Sequence, residues 1–275
     1  MEWPRIDVAG RVVVITGAAR GMGMACTREL LAEGAKVAGL DLSWDGVDTG
    51  ELERSGSGLF LTADVTNDAQ LDAAYDETMR AFGTVDVLIN NAAILPRFMY
   101  PPLGKAEVLQ ITDEEWERAL GVNTLGPLKV ARRFVRPMIE KRGGHIINVS
   151  SPRSWMDVAP DSGEQPYMAT KAALTNYSFY LSHDLKPYNI AVNIVFPTGA
   201  RTTDYEMMRN ERRRLGLSAG TPMEPEYIVP LMLFLCQLDG SYGLTGRALS
   251  AVQWNIEHGF GSVEHWNQVH GVPAL

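Results

Sequence analysis

The chain has 275 residues, 45% of them hydrophobic, with a formal net charge of −8 at pH 7 and a pI of about 5.2. This composition is typical of a globular protein, and the acidic balance argues against nucleic acid or an anionic membrane as the main partner. No run of about 18 apolar residues is present, so we expect no membrane-spanning helix.

Seven short apolar runs predict the strands of a parallel sheet. Strands that are buried on both faces appear as nearly continuous apolar stretches rather than as alternating ones. Longer helical patterns separate these runs, and such alternation indicates an α/β fold with a doubly wound parallel sheet and helices on both faces. The predicted strands are 11–17, 36–41, 59–65, 85–92, 144–151, 190–197 and 247–252.

The helical patterns between the strands are each about 12 residues long or longer. Thr112 is a predicted N-cap, followed by acidic residues in the first turn. No repeat, low-complexity segment or linker is present, so we expect one domain over 1–275, with a substrate lid at about 198–222 and a C-terminal tail at 262–275. The predicted helices are 23–34, 67–83, 112–143, 167–188 and 224–238.

A glycine-rich turn follows the first predicted strand, in the sequence TGAARGMG (16–23). Its glycines allow a tight turn, and the helix N-terminus that follows suits a pyrophosphate. Asp41 ends the second strand, where a carboxylate can bind both hydroxyls of an adenosine ribose and would repel a 2′-phosphate. We therefore predict NAD(H) rather than NADP(H), although Arg20 in the turn could meet a 2′-phosphate.

Tyr167 lies four residues before Lys171, which places both on one face of a helix. A fixed ammonium near a phenol favours the phenolate and lowers the pKa of the phenol. The spacing therefore offers an acid or base that works near neutral pH. The ordinary alternative is a surface lysine beside an unremarkable helix aromatic.

The positions of the cysteines and histidines indicate the cellular compartment of the protein and whether a metal site is expected. Cys26 and Cys236 lie in apolar patterns typical of buried free thiols, and the N-terminus shows no secretory signal. These features predict a cytoplasmic protein. The histidines show no metal-ligand spacing and the cysteines form no Cys-x-x-Cys pair, so no metal site is predicted.

With these motifs in hand, the chain resembles the short-chain dehydrogenase/reductase family, in its short, non-extended branch, from roughly Gly10 to Gly261. The motifs occur in family order and near family spacing, so their combination is specific although each alone is not. The resemblance implies a Rossmann-type fold with NAD as cofactor and a small-molecule substrate. The matching motifs are TGAARGMG (16–23), ADV (63–65), NNAA (90–93), GVNTLGPL (121–128), NVSS (148–151), YMATK (167–171) and PTGART (197–202).

The resemblance also implies a role for each site residue. Tyr167 exchanges a proton with the substrate oxygen while a hydride moves to or from nicotinamide C4, and Lys171 lowers the pKa of the tyrosine and binds the nicotinamide ribose. Ser151 holds the substrate oxygen, and Asn123 holds a water that links Lys171 to solvent. The predicted cofactor contacts are Gly17, Arg20, Gly21, Met22, Gly23, Asp41, Asp64, Val65, Asn91, Ala92, Tyr167, Lys171, Pro197, Thr198, Gly199 and Thr202.

The implied activity is NAD(H)-dependent interconversion of a secondary alcohol and a ketone. Ordinary alternatives exist for two of the residues, because a strand-end serine can cap a turn and a helix asparagine can bond its own backbone. A non-catalytic NAD-binding regulator on the same fold also stays open. Ser150 and His145 are predicted to be structural.

The predicted pocket-lining segments, 94–103, 152–160 and 198–215, contain aromatic and methionine side chains that indicate a bulky, mainly apolar ring compound. Such side chains can equally serve packing. Each segment also offers an arginine, a residue suited to carboxylate or phosphate recognition, so one of the three is hypothesised to bind an acidic substrate group. The arginines are Arg97, Arg153 and Arg201, and the predicted substrate contacts are Arg97, Ser151, Arg153, Trp155 and Tyr167.

Departures from the family leave the pocket shape open, among them Thr198 in place of a glycine and the missing D-G-G after the last strand. Family members are commonly tetramers, which implies a homotetramer or a homodimer. The helices 112–141 and 167–188 are expected to form the main two-fold interface, and the tail near the last strand a second one.

Overall fold

A single sheet runs through the part of the chain that the structure, a computed structural model, describes. Each of its strands overlaps a predicted apolar run, so the number and approximate positions of the predicted strands are confirmed. The described residues are 6–54, 56–95, 111–155, 165–197, 206, 209–210, 213–214, 216 and 223–265. The strands are β1 (Val12–Thr16), β2 (Lys36–Asp41), β3 (Gly58–Thr62), β4 (Val87–Asn90), β5 (Gly144–Val149), β6 (Ile190–Phe196) and β7 (Arg247–Ser250).

All neighbouring strands are parallel, in the order β3-β2-β1-β4-β5-β6-β7. The order switches direction at β1, because β2 and β3 lie on one side of it and β4 on the other. In a doubly wound sheet, the strand ends at such a switch point border the crevice where ligands bind. The loops after β1 and β4 therefore meet at the expected cofactor position.

Helices connect the strands, and their starts follow sequence signals. The Thr112 hydroxyl accepts a hydrogen bond from the Glu115 amide and the Glu115 carboxylate accepts one from the Thr112 amide, a capping box that confirms the predicted N-cap. None of the described helices is long and apolar enough to cross a membrane. The α-helices are α1 (Gly21–Ala32), α2 (Thr49–Glu53), α3 (Asp68–Phe82), α4 (Asp113–Leu120), α5 (Gly126–Lys141), α6 (Gln165–Leu185), α7 (Val229–Cys236) and α8 (Ala251–Glu257).

Two predicted elements need correction. The helix expected over 112–143 is interrupted by a π-helical turn, Gly121–Leu125, so that α4 and α5 are separate helices. The strand expected over 247–252 ends at Ser250, whose hydroxyl accepts a hydrogen bond from the Gln253 amide at 3.3 Å and caps α8. The capping serine lies inside the apolar run RALSAV (247–252), which gives no sign of where the strand ends.

Buried side chains form one apolar cluster on each face of the sheet. Val13 belongs to the cluster that contains Leu30 of α1 and Leu235 of α7. The next residue, Val14, belongs to the cluster that contains Phe134 of α5. Successive strand residues point to opposite faces, so both faces are covered by helices and the doubly wound prediction is confirmed. Losing a buried ring such as Phe134 would cost roughly 3–5 kcal/mol.

The two cysteines are buried free thiols, as predicted. Burial raises the pKa of the Cys26 thiol to about 12, and the carboxylate of Glu226 adds to this effect. Since the thiolate is the reactive form of cysteine, the neutral Cys26 is a packing residue rather than a nucleophile.

Candidate active site

The turn between β1 and α1 requires glycine. Gly17 and Gly21 adopt φ values of +67° and +55°, which other residues rarely adopt. A Cβ atom at Gly23 would lie 1.9 Å from the Gly17 carbonyl oxygen, so α1 begins directly against the turn. Arg20, the N-cap, is exposed and gives α1 no side-chain hydrogen bond, and Met22 is partly buried. Side chains at Gly17 and Gly23 are therefore excluded by close packing, and the free N–H groups at such a helix start are suited to a pyrophosphate.

The segment after β4 is bound to the end of β1. The Asn91 side-chain amide donates to the carbonyl oxygens of Thr16, at 3.1 Å, and Gly17, at 3.0 Å. The backbone amides of Asn91 and Ala92 both donate to the Thr16 hydroxyl at 3.1 Å. A Cβ atom at Gly17 would lie 2.9 Å from the Cα of Ala92. These contacts fix the glycine turn against the neighbouring strand end.

Asp41 lies at the end of β2, beside the glycine turn. Its Oδ2 accepts a hydrogen bond from the Ala19 amide at 2.9 Å, and its Oδ1 accepts one from the Leu42 amide at 2.8 Å. Each carboxylate oxygen can accept a further hydrogen bond. The carboxylate is thus oriented by backbone and keeps acceptor capacity for ribose hydroxyls, although the exposed Arg20 follows Ala19 directly.

The ADV motif lies after β3, where the backbone turns towards α3. Asp64 Oδ1 accepts hydrogen bonds from both the amide and the hydroxyl of Thr66 at 2.8 Å. Val65 is buried, and a Cβ atom at Gly126 would lie 2.8 Å from its Cγ2. The motif therefore packs against the start of α5 and is held in one conformation.

Tyr167 and Lys171 lie on one face of α6, as predicted. The Lys171 Nζ stands 5.7 Å from the centroid of the Tyr167 ring and donates to the Val149 carbonyl oxygen at 2.8 Å. Lys171 is only 2% exposed, so the alternative of a surface lysine is wrong. Burial lowers the pKa of Lys171 to about 8, so at neutral pH the side chain is a largely protonated cation beside the phenol.

Asn123 is fully buried in the π-helical turn. Its side-chain amide donates to the Ile94 carbonyl oxygen at 2.9 Å and to the Thr170 hydroxyl at 3.2 Å, and its oxygen accepts from the Ile94 amide at 2.8 Å. The Thr170 hydroxyl in turn donates to the Tyr167 carbonyl oxygen at 2.7 Å. The alternative of an asparagine bonded to its own helix is therefore wrong, because Asn123 joins the segment after β4 to α6.

Ser151 lies two residues after the end of β5 and is 8% exposed. Its carbonyl oxygen accepts hydrogen bonds from the Ser154 amide at 3.0 Å and the Ser154 hydroxyl at 2.6 Å. The preceding residue, Ser150, donates from its hydroxyl to the Lys171 carbonyl oxygen at 3.0 Å. The end of β5 thus brings Ser151 to the side of α6 that carries Lys171.

His145 is buried in β5 and serves the fold, as predicted. Its Nδ1 lies 2.8 Å from the Leu235 carbonyl oxygen, which can only accept, so Nδ1 carries the proton. Its Nε2 then accepts from the Asn193 side-chain amide at 2.9 Å. Burial lowers the pKa of His145 to about 4, so the ring is neutral.

Of the contacts predicted after β6, Pro197 is described and is buried just after the strand. Several other predicted contacts cannot be placed on the structure. The lid at 198–222 lies mostly outside the described residues, as does most of the tail, and both stay predictions. The predicted contacts Arg97, Thr198, Gly199, Arg201 and Thr202 and the side chains of Arg153 and Trp155 likewise lie outside the described residues.

Sequence reasoning missed the polar residues that support the site. Thr16 orients the segment after β4, and Thr170 joins Asn123 to the backbone of Tyr167. In the sequence, Thr16 is part of the TGAARGMG motif, and Thr170 is one of the small residues that let the helix approach the cofactor closely. A threonine at the carboxyl end of a buried strand is the available signal for Thr16, because that strand end lies at the crevice.

Comparison with known proteins bears on the family of the chain. The family model for short chain dehydrogenases matches residues 11–214. The fluoren-9-ol dehydrogenase of Terrabacter sp. (strain DBF63) is 39% identical, over 99% of this chain and 78% of that protein. The 3-alpha-(or 20-beta)-hydroxysteroid dehydrogenase of Mycobacterium tuberculosis (strain ATCC 25618 / H37Rv) is 32% identical, over 93% of this chain and 94% of that protein.

Comparison with a solved structure also points to the short-chain dehydrogenases. The crystal structure of a short-chain type dehydrogenase/reductase from Mycobacterium marinum matches with a TM-score of 0.76 at 25% identity, over 89% of this chain and 95% of that one. Fold, motif order and relatives therefore agree along most of the sequence. The chain belongs to the short-chain dehydrogenase family and is an oxidoreductase.

Proposed function

We propose that the protein is an NAD(H)-dependent dehydrogenase that interconverts a secondary alcohol and a ketone on a bulky cyclic substrate. The observation that carries this proposal is the Lys171 ammonium, buried and held 5.7 Å from the centroid of the Tyr167 ring. A buried cation at this place favours the phenolate of Tyr167. A protein that only binds a nucleotide could use Lys171 for the ribose, but it would not need a phenol placed beside this cation.

In the proposed mechanism, the chain supplies proton transfer and orientation. The nicotinamide cofactor, when bound, accepts or supplies the hydride. The Tyr167 hydroxyl exchanges a proton with the substrate oxygen, and Lys171 stabilises the tyrosinate. Ser151 holds the substrate oxygen by a hydrogen bond. Asn123 fixes the position of α6 through Thr170, in addition to the water contact that the family resemblance implies.

Asp41 supports NAD over NADP. Its carboxylate is oriented by the Ala19 amide at 2.9 Å and retains acceptor capacity for two ribose hydroxyls. A 2′-phosphate at the same place would meet a negative charge. Arg20, exposed in the glycine turn, is the one feature of the described turn that would favour the phosphate.

Replacing Asp41 by serine is expected to shift the cofactor preference towards NADP. Hydrogen bonds to a charged group contribute about 1.5–3 kcal/mol, so kcat/KM for NAD should fall by roughly ten- to a hundredfold. The value for NADP should stay level or rise, because the repulsion is removed. Steady-state kinetics with both cofactors measures the ratio, and Asp45→Ser, an exposed acid of the same loop, is the control. An unchanged ratio in Asp41→Ser would contradict this assignment.

The names of two relatives support a fused-ring substrate. Fluoren-9-ol is a secondary alcohol on three fused rings, and hydroxysteroids are alcohols of a skeleton with four fused rings. The aromatic and methionine residues of the predicted pocket segments agree with such substrates. NADH formation should be measured with fluoren-9-ol, a hydroxysteroid, an acidic cyclic alcohol and a short acyclic alcohol. A preference for the short acyclic alcohol would reject the substrate class, and a preference for the acidic compound would support an arginine contact.

Exposed apolar residues support an oligomer, a homotetramer or a homodimer, as the proposed assembly. Leu120 and Leu125 lie at the junction of α4 and α5 and are 39% and 50% exposed, and Tyr180 of α6 is 68% exposed. Large exposed apolar side chains on neighbouring helices are typical of an interface. Light scattering on the purified protein tests this, and a monomer would reject it.

A further inference from the structure

Three hydroxyl groups lie in contact with one another between the backbone of Ser151 and the backbone of Lys171. The Ser150 hydroxyl donates to the Lys171 carbonyl oxygen at 3.0 Å and lies 2.7 Å from the Thr175 hydroxyl. The Thr175 hydroxyl lies 3.2 Å from that of Ser154, which donates to the Ser151 carbonyl oxygen at 2.6 Å. We call Ser150, Thr175 and Ser154 the hydroxyl chain.

The protons of the hydroxyl chain can be assigned by counting. Three hydroxyls carry three hydrogens, and the hydrogens of Ser150 and Ser154 are used by carbonyl oxygens, which can only accept. The hydrogen of Thr175 can therefore serve one neighbour. Ser150 lies at the usual O–H···O distance and Ser154 beyond it, so Thr175 donates to Ser150, and its 3.2 Å approach to the Ser154 hydroxyl is a packing contact without a hydrogen of its own. Ser150 and Thr175 are 2% and 3% exposed, so water does not replace a lost partner freely.

The Thr175 hydroxyl differs from others on α6. Ser182 donates to the Phe179 carbonyl oxygen and Thr170 to the Tyr167 carbonyl oxygen, the usual bond of a helix hydroxyl to its own backbone. In the described contacts, Thr175 instead reaches the end of β5. It therefore joins the two elements that carry the site, since β5 leads into Ser151 and α6 carries Tyr167 and Lys171.

We propose that Ser150, Thr175 and Ser154 are positioning residues that hold Ser151 at a fixed place relative to Tyr167 and Lys171. The inference rests on the proposed function, in which Ser151 and Tyr167 share one substrate oxygen. The Lys171 Nζ bond to the Val149 carbonyl oxygen, at 2.8 Å, anchors the strand before Ser151. The bonds of Ser150 to Lys171 and Thr175 hold the residue before Ser151, and the Ser154 hydroxyl holds the Ser151 carbonyl oxygen. Displacing a reacting group by about 1 Å can cost on the order of a hundredfold in rate.

Thr175→Val tests the proposal because valine keeps the shape of threonine and loses its hydroxyl. We expect kcat to fall on the order of tenfold or more, with the KM for NAD unchanged. Thr175→Ser restores the hydroxyl and should recover most of kcat. Hydrogen exchange, followed by mass spectrometry, should be faster over 150–155 in Thr175→Val than in wild type, a readout that does not need turnover.

Thr78→Val is the matched control. Thr78 is a fully buried helix threonine whose hydroxyl donates to the Ala74 carbonyl oxygen at 2.7 Å in α3. Its replacement should cost comparable stability while leaving kcat and exchange over 150–155 as in wild type. If Thr175→Val matches Thr78→Val in both readouts, or if Thr175→Ser fails to recover kcat, the positioning role is rejected.

Two further outcomes are decided by the same design. If Thr175→Val does not fold, Ser154→Ala takes its place, and unchanged kcat and exchange in that variant reject the proposal. If wild type turns over no alcohol, the proposed function fails. The exchange comparison then still decides whether the hydroxyl chain holds the Ser151 segment.

Discussion

Tyr167→Phe is expected to lower kcat by about a hundred- to ten-thousandfold while leaving cofactor binding intact. The substitution removes only the hydroxyl, and general acid–base catalysis is worth rate factors of this size. The ring keeps its place 5.7 Å from the Lys171 Nζ, and Lys171 keeps its bond to the Val149 carbonyl oxygen. NADH formation with the best alcohol measures kcat, and NADH fluorescence titration measures binding.

Tyr177→Phe is the control, because Tyr177 lies on the same helix and is also partly buried. It should keep nearly full activity. If Tyr167→Phe retained more than about a tenth of wild-type kcat, the acid–base role would be rejected. A wild-type protein that binds NAD tightly and turns over no alcohol would instead favour the non-catalytic regulator.

The second large expected effect is a loss of stability in mild acid that comes from His145. Its pKa falls from 6.5 to about 4 on folding because burial penalises the charged form, with Arg11 opposing the charge and the Leu235 carbonyl and Asp239 favouring it. The unfolded chain therefore binds the proton at higher pH. The contribution of neutral His145 to the free energy of unfolding is complete above about pH 6.5 and is lost as the pH falls towards 4. The total loss is about 3 kcal/mol.

Between about pH 7 and pH 5 this loss amounts to about 2 kcal/mol, which urea unfolding can measure. Protonation also places an N–H of His145 against the Asn193 amide, whose hydrogens already bond the ring and the Leu244 carbonyl oxygen. In His145→Gln, the fall in the free energy of unfolding between pH 7 and pH 5 should be smaller by about 2 kcal/mol, whatever the stability of this variant at neutral pH. His183→Gln, at an exposed position, should leave it unchanged. Equal pH dependence in wild type and His145→Gln would contradict the assignment.

Local sequence signals were sufficient for the sheet. The strands are buried on both faces, so runs such as that of β1 show no alternation and stand out from the longer helical patterns. The turn from Gly17 to Gly23 could also be predicted from its glycines. The structure explains why they are there, because its positive φ values and its close contact both require glycine. The positions of Tyr167 and Lys171 on one helix face followed from the helical repeat alone.

Contacts between residues far apart in the chain could not be predicted from the sequence. Nothing local indicates that Asn123 bonds the backbone of Ile94, or that Thr175 meets Ser150. These partners come together only when the sheet and α6 pack. The π-helical turn was also hidden, because the residues around Asn123 are compatible with a continuous α-helix, and the wider turn is chosen by tertiary contacts.

That turn has a consequence for the helices on either side of it. A π-helical turn inserts an extra residue relative to the α-helical repeat, and one residue corresponds to about 100° of rotation about the helix axis. The side chains of α5 are therefore rotated out of phase with those of α4, although the two helices follow each other without a loop. One helix can face the core in one direction and the next in another, while Asn123 at the phase shift points inwards. The π-helical turn therefore lets α4 and α5 present their apolar faces in different directions within one continuous helical segment.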